Sequence, residues 1–160
     1  MTKKFNQYLG KAGQLSVMSE FLMLGWNVAI PEVDIGDDIF VVQDATGTLK
    51  KVQVKTARAA ESKKTMAFNA QFSVSVKNLR NILPILVHYV FVVRHNDKWL
   101  RPVIIPQDVL LDHFEMNKVG SESNGNINFR FTYKNDRVIC SNQDFTNYQD
   151  NFKDFTRIEH

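Results

Sequence analysis

Two short apolar segments joined by a turn, within residues 33–57, constrain the fold of this chain more than any other feature. Residues 39–42 are β-branched or aromatic, and polar and apolar residues alternate over residues 49–56. The intervening sequence, Asp44-Ala45-Thr46-Gly47, consists of residue types that favour turns. The pattern therefore predicts a β-hairpin.

The register of this hairpin decides which side chains meet. With the turn centred between positions 46 and 47, we expect Asp38 opposite Lys55 and Phe40 opposite Gln53 on one face. The other face would hold the apolar pairs Ile39–Val54 and Val41–Val52. Asp38, Gln53 and Lys55 would then cluster at one end of a two-stranded ribbon.

A carboxylate, a neutral oxygen and an ammonium group together suit metal-assisted phosphodiester hydrolysis. Mg²⁺ prefers oxygen ligands, and a bound divalent metal polarises a phosphate and lowers the pKa of its water. An adjacent ammonium stabilises the charge that develops on the phosphate. The alternative is an ordinary half-buried strand with Gln53 and Lys55 in water, and Asp38 as a polar residue at a strand entrance.

The pattern Asp38 followed by Gln53-Val54-Lys55, with Gly13-Gln14 at the start of an apolar helix, resembles the PD-(D/E)XK nuclease superfamily. The similarity is to a small prokaryotic branch that has a QVK tripeptide and includes intron-encoded homing endonucleases. The resemblance covers residues 10–56 well and the remainder loosely. It implies the restriction-endonuclease-like fold and a metal-dependent DNA endonuclease that uses Mg²⁺ or Mn²⁺.

The resemblance also assigns roles to single residues. The metal ligands would be Asp38, Gln53 and the backbone carbonyl of Val54. Lys55 would assist the nucleophile, and Gln14 occupies the place where the family usually has a Glu. Gln14 lies in an apolar stripe, so its amide needs a partner: a metal-bound water, Lys55 or, alternatively, the backbone. Glu20, on the flank of the same helix, is a second candidate for the acid, or else a solvated charge.

Charge is segregated along the chain, which has a formal net charge of +3. Residues 31–44 contain acids and no base, whereas residues 45–80 contain many bases and a single acid, Glu61. A basic segment beside an acidic one can face the phosphates of DNA. The residues expected to bind DNA are Lys50, Lys51, Arg58, Lys63 and Lys64. Solubilising loop charges are the alternative for both lysine pairs.

DNA is therefore the expected partner. Because cleavage of a duplex needs two active sites or two turnovers, we expect a homodimer or a higher homo-oligomer. An inactive DNA-binding or protein-interaction module that keeps the nuclease fold is the alternative. The four histidines lack the spacing of a zinc site, and His88 is expected in the core.

Length and composition predict one domain over residues 1–160, since 160 residues with 44% hydrophobic content can bury a substantial core. No apolar run approaches the ~18 residues of a membrane span. The single cysteine, Cys140, cannot form an intramolecular disulfide, which favours a reducing cytoplasm.

Hydrophobic periodicity predicts an α/β fold in which a mixed β-sheet is flanked by α-helices. Core motifs occupy residues 10–56, a loop residues 118–128, and a C-terminal hairpin and helix residues 126–156. The predicted helices cover residues 11–24, 76–82, 106–116 and 142–155. The predicted strands outside the first hairpin cover residues 26–30, 68–74, 85–93, 99–105, 127–133 and 137–140.

Overall fold

Two β-sheets and the helices that pack on them form the computed structural model of the chain, which describes residues 2–33, 36 and 38–160. Asp34 and Asp37, which belong to the acidic stretch before the hairpin, lie outside the described residues. The helices are α1 (Lys3–Met23), α2 (Val76–Arg80) and α3 (Gln107–Glu115), and a 3₁₀ turn covers Thr146–Tyr148. The mixed α/β architecture predicted from the sequence is confirmed.

The first sheet contains the predicted hairpin and is mixed. Its strand order is β1-β2-β3-β6-β7, with β8 beside β6. Only β3 and β6 run parallel among these described strands, and the other neighbours are antiparallel. The strand bounds are β1 Asn27–Ala29, β2 Ile39–Gln43, β3 Thr48–Arg58, β6 Val87–His95, β7 Lys98–Trp99 and β8 Val103–Pro106.

The second sheet is antiparallel, with the order β12-β11-β10-β5-β4 and β9 beside β10. Its strands are β4 Ala60–Ser62, β5 Ala67–Ser75, β9 Ser121–Ser123, β10 Asn126–Lys134, β11 Arg137–Cys140 and β12 Gln143–Asp144. Strand β3 leads through Ala59 directly into β4, so the chain passes from one sheet to the other at this corner.

Apolar and polar residues alternate along the strands, and the apolar residues form two hydrophobic cores. One lies between the sheets and includes Phe72, Phe91 and Phe131. The other lies between the first sheet and α1, where Val17 and Phe21 pack on the apolar face of the hairpin. No helix among the described residues is long and apolar enough to cross a membrane.

The hairpin register differs from the prediction by two residues. Ile39 pairs with Val52 rather than Val54, and Gln43 pairs with Thr48. The loop spans residues 44–47 and ends with Gly47 in the left-handed region (φ 69), where its N–H donates to the Gln43 carbonyl at 2.8 Å. A shift of two residues preserves the faces, but it brings Asp38 opposite Gln53 instead of Lys55.

The predicted helix over residues 142–155 is wrong. This segment forms β12, the 3₁₀ turn and an extended stretch, and Ser141, Asn142 and Asp150 have positive φ. Its aromatic residues serve different cores: Phe145 packs between the sheets, whereas Phe155 packs beneath α1. One face of a single short helix could not supply both cores.

Other boundaries also differ from the prediction, and the predicted strand 99–105 is two strands, β7 and β8, separated by residues 100–102. Helix α1 begins at Lys3, eight residues before position 11, and Thr2 caps it by accepting a hydrogen bond from the N–H of Phe5. Its first turns are exposed, so they carry no apolar pattern that reveals them. The predicted loop at 118–128 contains β9, whose short polar sequence gives no strand signal.

Candidate functional site

A cavity of about 370 Å³ lies between the N-terminal half of α1 and the adjoining ends of β2 and β3. It brings Asp38, Lys55 and Gln14 together, through a register that differs from the predicted one, whereas Gln53, the third member of the predicted hairpin cluster, is not in its lining. The lining residues are Asn6, Gln7, Gly10, Lys11, Gln14, Asp38, Val54, Lys55 and Thr56.

Asp38 is fixed to β3 by both its backbone and its side chain. Its N–H donates to the carbonyl of Val52 at 2.9 Å, and its Oδ2 accepts from the N–H of Val54 at 2.6 Å. A charge-assisted bond of this length holds the carboxylate in one place. A carboxylate has about four lone-pair positions, so this one bond uses only part of its capacity as an acceptor.

The side-chain amide of Gln14 joins α1 to the Asp38 backbone. Its Nε2 donates to the carbonyl of Asp38 at 2.6 Å, and its Oε1 accepts from Lys11 Nζ at 2.8 Å. Both halves of the amide therefore have protein partners, one of which is the charged Lys11. This arrangement matches the backbone-partner alternative and makes Gln14 a positioning residue for Asp38.

A close approach of helix and strand places Gln14 at this position. The Cα of Gly13 packs against Thr56 so tightly that a Cβ there would lie 2.1 Å from Thr56 Oγ1. Any larger residue at position 13 would push α1 away from β3. The Gly-Gln dipeptide thus combines a close-packing residue with the residue that holds Asp38.

The three residues of the Gln-Val-Lys tripeptide occupy different environments. Gln53 is buried, with only 8% of its surface exposed, and lies beside Tyr89 of β6. Val54 and Lys55 are half-buried and line the cavity. Lys55 of β3 therefore contributes a cation to the same cavity as the Asp38 carboxylate.

Glu20 lies outside this cavity. It is exposed and lines a separate hollow together with Ser16, Trp99 and Arg101. Six positions beyond Gln14, it is about 9 Å further along the helix axis and on another side of the helix. The structure therefore does not bring Glu20 together with Asp38.

The predicted DNA-binding bases are dispersed. Lys50 is half-buried, and its Nζ lies 5.2 Å from the ring centre of Phe155. Lys51 lies on the opposite face of β3, with its Nζ 5.9 Å from the ring centre of Phe40. Lys63 and Lys64 are exposed in the turn between β4 and β5.

Arg58 lines a second, larger cavity of about 600 Å³. This cavity shares Asn6 and Thr56 with the first, so the two cavities adjoin, and we call them together the trough. Its other wall comes from the second sheet and contains Asn69, Gln71 and Arg130. Sequence reasoning missed these three residues, although each occupies a polar position of an alternating strand.

Among the described residues, the lining of the first cavity contains one carboxylate, that of Asp38. Within the described part of the chain, no three or more His, Cys, Asp or Glu side chains form a metal-binding group. Mg²⁺ is commonly held by one or two carboxylates, with water and substrate phosphate oxygens completing its shell. The residues present fit such a weakly held, substrate-completed Mg²⁺ and do not fit a closed zinc centre.

Comparisons with known proteins show a structural likeness. No protein-family model and no curated protein matches this chain. Among solved structures, the bacterial homing endonuclease I-Ssp6803I is similar at 19% sequence identity with a TM-score of 0.54. The match covers 95% of this chain and 90% of that one. At this identity the likeness shows a shared fold.

Proposed function

We propose that this protein is a metal-dependent DNA endonuclease whose reaction takes place in the cavity of Asp38 and Lys55. The observation that carries the proposal is the Asp38 carboxylate, held by the Val54 N–H at 2.6 Å in a cavity that Lys55 also lines. The fold shared with a bacterial homing endonuclease supports the same conclusion. A fixed carboxylate beside a cation suits the hydrolysis of a phosphodiester.

In this proposal, Mg²⁺ or Mn²⁺ binds at Asp38, with Gln53 and the Val54 carbonyl as candidate neutral oxygen ligands. When bound, the metal supplies polarisation of the phosphate and a water of lowered pKa. Gln14 and the Val54 N–H keep the Asp38 carboxylate in position. The half-buried Lys55 stabilises negative charge on the phosphate or orients the attacking water.

Lys11 adds a second positive charge at the rim of the same cavity, since its Nζ lies 2.8 Å from Gln14 Oε1. The phosphate backbone of DNA would meet Lys11 and Lys55 at the cavity and Arg58 further along the trough. Lys63 and Lys64, both exposed, are available for more distant phosphates, whereas Lys50 is occupied by aromatic rings. We further propose a homodimer or higher homo-oligomer, because cutting both strands needs two sites or two turnovers.

The test is incubation of the purified protein with supercoiled and branched DNA in the presence of Mg²⁺, Mn²⁺ or EDTA. We expect nicked and then linear product with either metal and no product with EDTA. Cleavage that EDTA does not affect would contradict the metal-dependent mechanism. Binding of both DNAs without cleavage in either metal would instead identify an inactive DNA-binding module.

A further inference from the structure

The outer face of the second sheet carries an unusual set of side chains on β5, β9 and β10. The apolar residues of β10 point into the core, so the intervening residues point outwards. We call this outward set the amide-hydroxyl face. It consists of Asn69, Gln71, Ser73, Ser75, Ser121, Ser123, Asn126, Asn128, Arg130, Thr132 and Lys134.

The amide-hydroxyl face of these three strands has two cations and no carboxylate; on the same side of the sheet, Asp144 of β12 forms an ion pair with Arg137 of β11. Glu122, in the same three strands, belongs to the opposite side, because it pairs with Ile127, whose side chain is fully buried. Solvated protein surfaces usually mix charges of both signs. A surface of amides and hydroxyls with a small positive charge is instead suited to forming many hydrogen bonds to an anionic polymer.

The middle of this face is narrow. Gln71 and Arg130 lie directly opposite each other on β5 and β10, and both are exposed. The neighbouring strands stop short of this pair: β4 reaches Asn69, β9 reaches Asn128 and β11 begins at Phe131. Among the described residues, no third strand pairs beside Gln71–Arg130, so both side chains lie in a gap between the flanking strands.

The same pair is connected to the proposed cleavage site. Gln71 and Arg130 line the 600 Å³ cavity, which shares Asn6 and Thr56 with the cavity of Asp38. Arg130 forms no ion pair with any described residue, in contrast to Arg101, whose Nε contacts Asp150 Oδ2. Its guanidinium is thus not neutralised by a carboxylate and faces the trough.

We propose that the amide-hydroxyl face reads the base edges of duplex DNA in the major groove, with Arg130 and Gln71 as the specificity-determining pair. This inference rests on the proposed function and adds the sequence readout to it. Arg makes bidentate bonds to guanine O6 and N7, and Gln makes them to adenine N6 and N7. Because the two cavities share a wall, the base pairs that are read lie beside the phosphate that is cut.

The experiment is a binding selection from a pool of short duplexes with a randomised core, carried out in Ca²⁺ and followed by sequencing of the bound fraction. The proteins compared are the wild type, Arg130→Ala, Gln71→Ala and the matched control Arg101→Ala. We expect the wild type and the control to enrich the same motif. Arg130→Ala should lose the preference for guanine at one position, and Gln71→Ala that for adenine, each by roughly 5- to 100-fold.

The outcomes separate the inference from the function on which it rests. If Arg130→Ala and Gln71→Ala enrich the same motif as the wild type, the inference is overturned. It is also overturned if these variants bind all sequences equally more weakly, because that is the behaviour of a phosphate contact. A wild type that binds every duplex equally would overturn it as well, while the nuclease proposal would stand. A wild type that binds no duplex would overturn both. Equal melting temperatures of the four proteins, measured without DNA, exclude misfolding as the cause.

Discussion

The amide of Gln14 performs two tasks that a carboxylate could not combine. Its Nε2 donates to the Asp38 carbonyl at 2.6 Å, and its Oε1 accepts from Lys11 at 2.8 Å. A Glu has no donor for the first of these bonds when it is ionised. The amide of Gln14 therefore has a structural role in this chain, which is to hold the backbone of the residue that supplies the carboxylate.

Gln14→Glu is expected to destabilise the protein. The new carboxylate would face the carbonyl of Asp38, and the loss of this partly buried bond costs about 1–3 kcal/mol. For a chain of this size, this cost lowers the melting temperature by roughly 2–10 °C. Gln7→Glu, an exposed change on the same helix and in the lining of the same cavity, is the control and should cause almost no shift.

The melting temperature of Gln14→Glu, measured with and without Mg²⁺, distinguishes a positioning role of Gln14 from a metal-binding role. We expect Mg²⁺ to leave the destabilisation in place. If Mg²⁺ instead raised the melting temperature of Gln14→Glu to the wild-type value or above, position 14 would face the metal, and our assignment would be wrong.

At the scale of elements, the contact between α1 and β3 depends on one glycine. A Cβ on Gly13 would lie 2.1 Å from Thr56 Oγ1, whereas a Cβ on Gly10, one helical turn earlier, has nothing within 4 Å. Both positions lie in the interior of α1. The two glycines therefore form a matched pair for testing this contact.

Gly13→Ala is expected to force α1 away from β3, to lower the melting temperature and to reduce cleavage, because Gln14 moves with the helix. Gly10→Ala should be neutral or stabilising by about 0.5–1 kcal/mol, since Ala favours helix over Gly. Thermal melts and plasmid nicking rates of both variants test this. Equal melting temperatures and rates for the two variants would contradict the proposed contact.

The C-terminal segment is attached to the first sheet by a hydrogen bond between His88 Nε2 and Asp154 Oδ2, 3.0 Å apart. Burial lowers the pKa of His88, although the bond to Asp154 opposes this shift and the charge of Lys50 reinforces it. At neutral pH the contact is therefore a hydrogen bond from a neutral imidazole rather than an ion pair.

Stability should consequently depend on pH. The unfolded His88 takes up a proton near its ordinary pKa of 6.5, whereas the folded one does so only at lower pH. The unfolded state then binds more protons in this window, so stability is complete above about pH 6.5 and falls as the pH drops below it. His88→Gln should flatten this slope in melts between pH 5 and 8. An unchanged slope in His88→Gln would assign the pH dependence to other groups.

Periodicity predicted the elements better than their pairing. Val52 and Val41 alternate clearly enough to predict the strands and their core face, and both are fully buried. The register was wrong because it depends on the loop, where Gly47 takes the left-handed conformation and closes a four-residue turn. The predicted and observed registers differ by two residues and therefore place the same side chains on each face. The hydrophobic pattern alone could not choose between these two registers.

At the scale of the whole molecule, α1 and the corner where β3 becomes β4 enclose a trough that leads to the outer face of the second sheet. Sequence reasoning brought Asp38, Lys55 and Gln14 together at one end of this trough. It did not find Arg130 and Gln71 at the other end, because only the pairing of β5 with β10 brings residues so distant in sequence together. Long-range pairing of this kind leaves no local signal.

A run of bases in the sequence also did not predict which bases share a surface of the folded protein. Lys50 and Lys51 are neighbours in the chain but lie on opposite faces of β3, since successive side chains of a strand alternate. Of the bases predicted to bind DNA, Arg58 lines the trough. Arg130, on the outer face of the second sheet, lines the same cavity. The positive lining of the trough is therefore assembled by the fold rather than by a run of bases.

The most direct test of the account is the rate of plasmid nicking by Asp38→Asn in Mg²⁺, compared with the wild type and with Asp44→Asn. The Asn oxygen can still accept the N–H of Val54, so the fold and DNA binding, measured in the same samples, should be retained. Asp44→Asn removes one charge from the exposed turn of the same hairpin and should nick normally. We predict at least a roughly 100-fold loss for Asp38→Asn, since a metal contributes several kcal/mol. Nicking by Asp38→Asn at the wild-type rate would contradict the assignment of this cavity as the site of cleavage.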